Sequence, residues 1–295
     1  MIKMVNFDEK FNEYLNFFEK SLKENLKSLD NNAPDVIKDA MIYAVNGGGK
    51  RVRPILCYSA AEMLGGTMDS VKEFALAIEF IHSYSLVHDD LPAMDNDDYR
   101  RGKLSTHKKF GEDIGILAGD ALLNYAFETA FTKKDFSSAD VSALKILSEY
   151  AGYSGMIGGQ VLDLIGEKKS SPKEEDLYAI FLNKTAKLLT APLLIASILN
   201  NGKYYDELKE YGYHIGILFQ ITDDILDVFS TLEELGKTPH KDESENKITA
   251  VKVFGIDGAK DKAEYHYKCA KEIIGRIDCK GFLTEFTDRI YFRKK

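Results

Sequence analysis

The chain has 295 residues, is 44% apolar and 29% charged, and carries a formal net charge of -8. That length suits one large domain, the apolar share can fill a sizeable core, and the acidic balance argues against nucleic acid as a partner. Three cysteines, scattered and odd in number, make neither a disulfide framework nor a zinc site. No early stretch is long and apolar enough for a signal peptide or a membrane span. A cytoplasmic protein with no stable membrane insertion is expected.

From the start of the chain, Phe11, Leu15, Phe18, Leu22 and Leu26 recur at spacings of three and four, which predicts a helix over 7–29 with one buried face. Next comes GGGKRVRP, Gly47–Pro54. Glycine lets the backbone approach a ligand closely, and Lys50, Arg51 and Arg53 suit phosphate. The stretch lacks the spacing of a Walker A loop. Its plainer reading is a helix end capped by glycine and basic residues.

Helical periodicity returns over 71–87 and runs into five aspartates between Asp89 and Asp98, followed by Arg100 and Arg101. A solvated acidic loop is the bland reading. Against it, the acids sit at the end of an apolar helix, and Pro92 stops or kinks that helix near Leu91. Asp89 and Asp95 are six apart, a rotation of about 600°, so a straight helix parts them. A bulge at Leu91–Pro92–Ala93 is needed to bring Asp95 back. The arginines suit a bidentate grip on phosphate. His82, about two turns before Asp89, shares its cavity face.

Helices are predicted over 114–131, 141–153, 173–199 and 205–232. The last holds FQITDDILDVF, in which Asp223 and Asp227 (i, i+4) lie on one helix face and repel. Carboxylates in so apolar a segment are costly without partners. A hard divalent cation such as Mg²⁺ compensates them; an exposed acidic stripe is the alternative. LGKTPHKDESEN, Leu235–Asn246, is polar and predicted to be a loop. With no sustained period-two alternation, the fold class is all-α, a single-domain bundle of ten or more helices over 1–295.

Taken together and in chain order, GGKRVRP, HDDLPAMD, AGDALL, GMIGGQVLD, NKT and DDILD resemble the motifs of the trans-prenyltransferases, the polyprenyl diphosphate synthase family, with bacterial farnesyl diphosphate synthases the nearest. The resemblance implies a bundle around a deep central cavity, a homodimer, and two aspartate motifs facing across the mouth. It implies two or three Mg²⁺ ions held with an allylic diphosphate by Asp89, Asp95 and Asp223, with Asp90 and Asp227 in support. By resemblance, Arg100, Lys184 and Lys237 would also hold that diphosphate. By the same resemblance, isopentenyl diphosphate would be held without metal by Gly49, Lys50, Arg53, His82 and Arg101. Lys184 (through its carbonyl), Thr185 and Gln220 are similar to family residues that offer oxygens to an allylic cation. Tyr84 is the expected floor for the growing chain and implies a C15 product, although ideal helix geometry turns it away from Asp89 and puts Ser85 nearer. A geranylgeranyl or longer-chain synthase is the near alternative; a terpene cyclase and a non-catalytic prenyltransferase subunit are further ones. The chain departs from the family pattern at His240 and Ala250. Asp97 and Asp98 receive no role.

Overall fold

Helices carry most of the described residues in the computed structural model, which describes residues 6–229 and 247–293. In order they are α1 (Phe7–Lys27), α2 (Asp35–Val45), α3 (Val52–Leu64), α4 (Lys72–Asp89), α5 (Thr106–Phe110), α6 (Glu112–Phe131), α7 (Ser138–Ala151), α8 (Met156–Gly166), α9 (Glu174–Ile180), α10 (Lys187–Leu199), α11 (Tyr205–Phe229), α12 (Ala250–Gly275) and α13 (Phe282–Tyr291). The expected all-α bundle is therefore present, and the predicted helices lie within about two or three residues of observed ones. The helix read as 205–232 can be followed to Phe229; Lys237, His240 and the rest of the polar loop lie outside the described residues.

Two helices are buried on almost every side and form the centre. In α4 each residue from Phe74 to Ile81 is buried, and in α10 so is each from Leu188 to Ser197. A helix without a polar face is stable only when neighbours surround it. α4 packs against α3 and α6, while α10 packs against α3, α7 and α11. The surrounding helices keep a single buried stripe, as in α1, where Phe18, Leu22 and Leu26 face inward. Their apolar side chains join one continuous cluster. The run Glu174–Leu199 is apolar enough to cross a bilayer, but 67% of that window is buried within the fold.

Two local features depart from the sequence reading. The predicted helix over 173–199 is interrupted by a π turn at Phe181–Ala186, where the Lys187 N–H reaches back to the Leu182 carbonyl. A short hairpin, β1 (Tyr99–Arg100) with β2 (Lys103–Leu104), follows the first aspartate cluster. Two-residue strands are too short to show alternation.

Candidate active site

The end of α4 faces a cavity of about 570 Å³, a size ordinary for small-molecule sites, whose walls come from α3, α4, α6, α8 and the π turn. Asp89 is the last residue of α4. The chain then folds back, so that the Asp95 N–H donates to the Asp89 carbonyl at 2.8 Å and the Asp97 N–H to that of Asp90 at 3.1 Å. A tight turn after the helix, with Met94 and Asn96 both bonded to the Leu91 carbonyl, does the work expected of a bulge. Burial pushes the Asp89 carboxyl up to about 6; the Lys184 ammonium opposes the rise and the Asp95 carboxylate adds to it. Gln160 on α8 donates to the Asp89 carboxylate.

Asp90 points elsewhere. It is buried, accepts from Arg100, and lines a smaller cleft with Arg100 and Arg101. The hairpin explains how adjacent arginines part. Arg100 ends β1, while Arg101 and Gly102 form the turn with positive φ, 53° and 75°, as a tight hairpin requires. Arg100 reaches Asp90 and Asp97, whereas Arg101 reaches the Gly48 carbonyl. Asp97 thus has a local partner, as does Asp98, which pairs with Lys108 at 2.8 Å.

Arg101 brings the glycine loop into the site. A Cβ on Gly49 would lie 2.7 Å from its guanidinium, and Gly49 has φ +132°; only glycine fits. Arg51 fixes the loop from beneath. Although left-handed itself (φ 48°), it is buried and donates to Glu19 at 2.8 Å, Glu79 at 2.9 Å and the Val45 carbonyl at 2.9 Å. The backbone conformation costs on the order of 1–2 kcal/mol, which these charge-assisted bonds offset. Lys50 is left exposed at the surface of the loop.

Arg53 and His82 line the main cavity. Burial lowers the Arg53 guanidinium to about 10, with Glu79 opposing and Arg101 adding to the fall. Burial also holds the His82 imidazole well below its usual range, and Arg53 and Arg101 push it further. His82 is therefore neutral at pH 7. Arg53 Nε is buried without a hydrogen-bond partner, a donor suited to an anion.

The π turn supplies the opposite wall. Its extra residue reorients Lys184 and Thr185, and such turns often mark functional sites. A Cβ on Gly159 would sit 2.1 Å from the Lys184 nitrogen, so the glycine lets α8 close on the turn. Lys184 donates to Asp163; burial works against its charge, but Asp163 and Asp89 outweigh that and hold the ammonium above its usual value. The Thr185 hydroxyl donates to Gln220 Oε1 at 2.9 Å, and Gln220 Nε2 donates to Asp224 at 3.0 Å. Asp224 in turn accepts the Ala250 N–H at 2.6 Å, a backbone contact that leaves the identity of side chain 250 immaterial to the bond.

Asp223 and Asp227 lie one turn apart on α11 beyond Gln220. Asp227 is buried, and Asp223 meets Arg293 at 2.7 Å. Lys247 joins Asp95 at 3.1 Å, Asp163 at 3.4 Å and Glu167 at 2.7 Å. Sequence reasoning gave no individual role to Gln160, Asp163, Glu167 or Arg293; the quoted GMIGGQVLD holds the first two.

Among the described residues no group of three acids, histidines or cysteines is gathered to cage an ion alone. Mg²⁺ needs no such cage, since it keeps several waters and combines one or two carboxylates with substrate phosphate oxygens. Asp89 and Asp95 are adjacent hard donors, one of them already burdened by burial. The donor set fits Mg²⁺ bound together with a diphosphate.

The chain matches the polyprenyl synthetase family over residues 34–279. It is 44% identical over 260 residues to a geranylgeranyl diphosphate synthase of Cyanophora paradoxa, covering 86% of each chain. It is 40% identical over 258 residues to a farnesyl diphosphate synthase of Micrococcus luteus, covering 85% of this chain and 88% of that one. A geranyltransferase of Helicobacter pylori, solved with magnesium and isoprenyl diphosphate, has the same fold: TM-score 0.82 at 32% identity, covering 95% of this chain and 96% of that one.

Proposed function

This chain belongs to the polyprenyl synthetase family, and on that premise we propose that it condenses isopentenyl diphosphate with dimethylallyl or geranyl diphosphate, 1'-4, to give farnesyl diphosphate and pyrophosphate. One observation carries the reading: a single apolar cavity joins an acidic end at Asp89 to cations at Arg53 and Lys184, with Tyr84 in its wall.

Asp89, Asp95, Asp223 and Asp227 are the residues to hold two or three Mg²⁺ ions with the allylic diphosphate. Bound there, Mg²⁺ would neutralise the diphosphate and stabilise the negative charge that grows on pyrophosphate as it leaves. Arg100 and Lys184 add preorganised positive charge at the same end, and Lys237 is assigned with them. Asp90 orients Arg100. The allylic C–O bond breaks, its electrons leave with pyrophosphate, and an allylic cation remains. Oxygens of Lys184, Thr185 and Gln220 stabilise that cation; the Thr185 hydroxyl gives its proton to Gln220, so its lone pairs are free for the cation. Gly49, Lys50, Arg53, His82 and Arg101 hold isopentenyl diphosphate without metal. Its double bond attacks the cation, and departing pyrophosphate takes the proton that restores a double bond.

Tyr84 supports the C15 product. It is 5% exposed and lines the cavity together with Ser85, its long side chain reaching a wall that ideal rotation assigns to Ser85 alone. A C20 product is the second reading, favoured by the name of the Cyanophora paradoxa relative. We assign the active form as a homodimer: Ile116 and Val161 line the cavity yet are exposed, beside exposed Leu117 and Ile165, and a second copy would cover this apolar wall. Incubation with Mg²⁺, isopentenyl diphosphate and geranyl diphosphate, followed by chain-length analysis, tests the activity. A folded protein that forms no condensation product would overturn it, and light scattering checks the dimer.

A further inference from the structure

A side chain that limits product length has to be held in place. Tyr84 is not held through its hydroxyl, which is buried without a hydrogen-bond partner. Its ring is held by packing, and one neighbour stands out. His88 follows one turn later on α4, on the same face, with ring centroids 5.7 Å apart at 84°. That is the edge-to-face arrangement in which aromatic rings attract.

His88 is itself fixed from outside α4. Its Nε2 lies 3.0 Å from the Ile116 carbonyl on α6, where only a protonated Nε2 can donate. The seat exists because residue 119 is glycine: a Cβ there would fall 2.0 Å from His88 Nε2 and 2.2 Å from Cδ2. Tyr84, His88 and Ile116 all line the cavity.

We propose that His88 is a positioning residue for product length, a strut pinned to α6 in the space left by Gly119 that keeps the Tyr84 ring across the path of the growing chain. The proposal rests on the reading of Tyr84 as the floor. Removing the strut leaves Tyr84 in the sequence but lets its ring swing aside, so chains extend past the wild-type stopping point. Gly119→Ala acts by a second route, evicting the imidazole while His88 stays in the sequence and every diphosphate-binding residue is untouched.

The test compares wild type, Tyr84→Ala, His88→Ala and Gly119→Ala as full chains with Mg²⁺, isopentenyl diphosphate and geranyl diphosphate, reading the ratio of longer to wild-type-length products. All three variants are expected to raise that ratio several-fold. A merely destabilising change lowers total turnover and leaves the ratio alone. If one strut variant fails to fold, the other decides. Should Tyr84→Ala lengthen products while the folded strut variants keep the wild-type ratio, the strut is wrong and the floor stands. Should Tyr84→Ala leave the length unchanged, the floor reading fails and the strut with it.

Discussion

The two sides of the cavity handle charge in opposite ways. On the acidic side, Lys247 is shared by Asp95 and Asp163, Asp163 also holds Lys184, Arg100 serves Asp90, and Arg293 meets Asp223. On the basic side, Arg53 Nε has no hydrogen-bond partner, and cationic neighbours help keep His82 neutral. The acidic side is thus already neutralised by protein cations, which an incoming metal must displace or work beside. The basic side holds Arg53 and Arg101 beside the buried carboxylate of Glu79, and Arg53 Nε is a donor suited to an anion. On the proposed function, the acidic side works with metal and the basic side without it.

The sharpest break between the sides comes from Asp89→Asn. Removing an electrostatic contributor of this kind lowers kcat by roughly 10²–10³-fold, measured by condensation at saturating Mg²⁺, with the KM for isopentenyl diphosphate near wild type. A parallel rise in that KM would mean the sides are not separate. Arg53→Met should act in the reverse sense. A charge-assisted hydrogen bond contributes about 1.5–3 kcal/mol, so the KM for isopentenyl diphosphate rises roughly tenfold to a hundredfold while the Mg²⁺ dependence of the rate stays put.

Lys247→Met probes the internal neutralisation. It strips the shared cation from Asp95, Asp163 and Glu167, and should lower metal-free stability by about 1.5–3 kcal/mol, seen in thermal or urea unfolding. Mg²⁺ should then stabilise the variant more than the wild type. Equal stabilisation would contradict the idea that metal and lysine neutralise the same carboxylates.

The smallest effect concerns pH. The folded His82 imidazole binds a proton less readily than the unfolded one, so its contribution to stability is present above about pH 6.5 and is lost as pH falls below that. The loss is up to about 1.4 kcal/mol per pH unit. His82→Gln should flatten the fall in Tm between pH 7 and 5, and saturating inorganic pyrophosphate should reduce it in the wild type. No difference between wild type and variant would remove His82 from the basic side.

Much of this was legible in the sequence because buried helix faces and crowded like charges are local patterns. Phe18, Leu22 and Leu26 declare α1, and Asp89 with Pro92 declares the end of α4. The rest depends on contacts between distant positions. Nothing near Lys247 in the chain points to Asp95, 152 residues away. Arg51 looks like Lys50 and Arg53 in sequence, yet it is the buried clamp, because only the fold brings Glu19 and Glu79 to it. Asp97 and Asp98 had no legible role until the hairpin and α5 supplied Arg100 and Lys108. The π turn was invisible because Phe181–Ala186 satisfies helical periodicity as well as its flanks do.

That one wide turn separates what the central helix needs for folding from what it needs for chemistry. Deleting a single residue within 181–186 would remove the extra residue and let the segment relax to regular α-helix, with both flanks keeping their packing. The helix would gain ordinary hydrogen bonding, yet Lys184 and Thr185 would lose their bearing on the cavity. In this segment the more regular protein is the blank one, so a screen that selects only for stability would drift toward a well-folded molecule with nothing to say to its substrates.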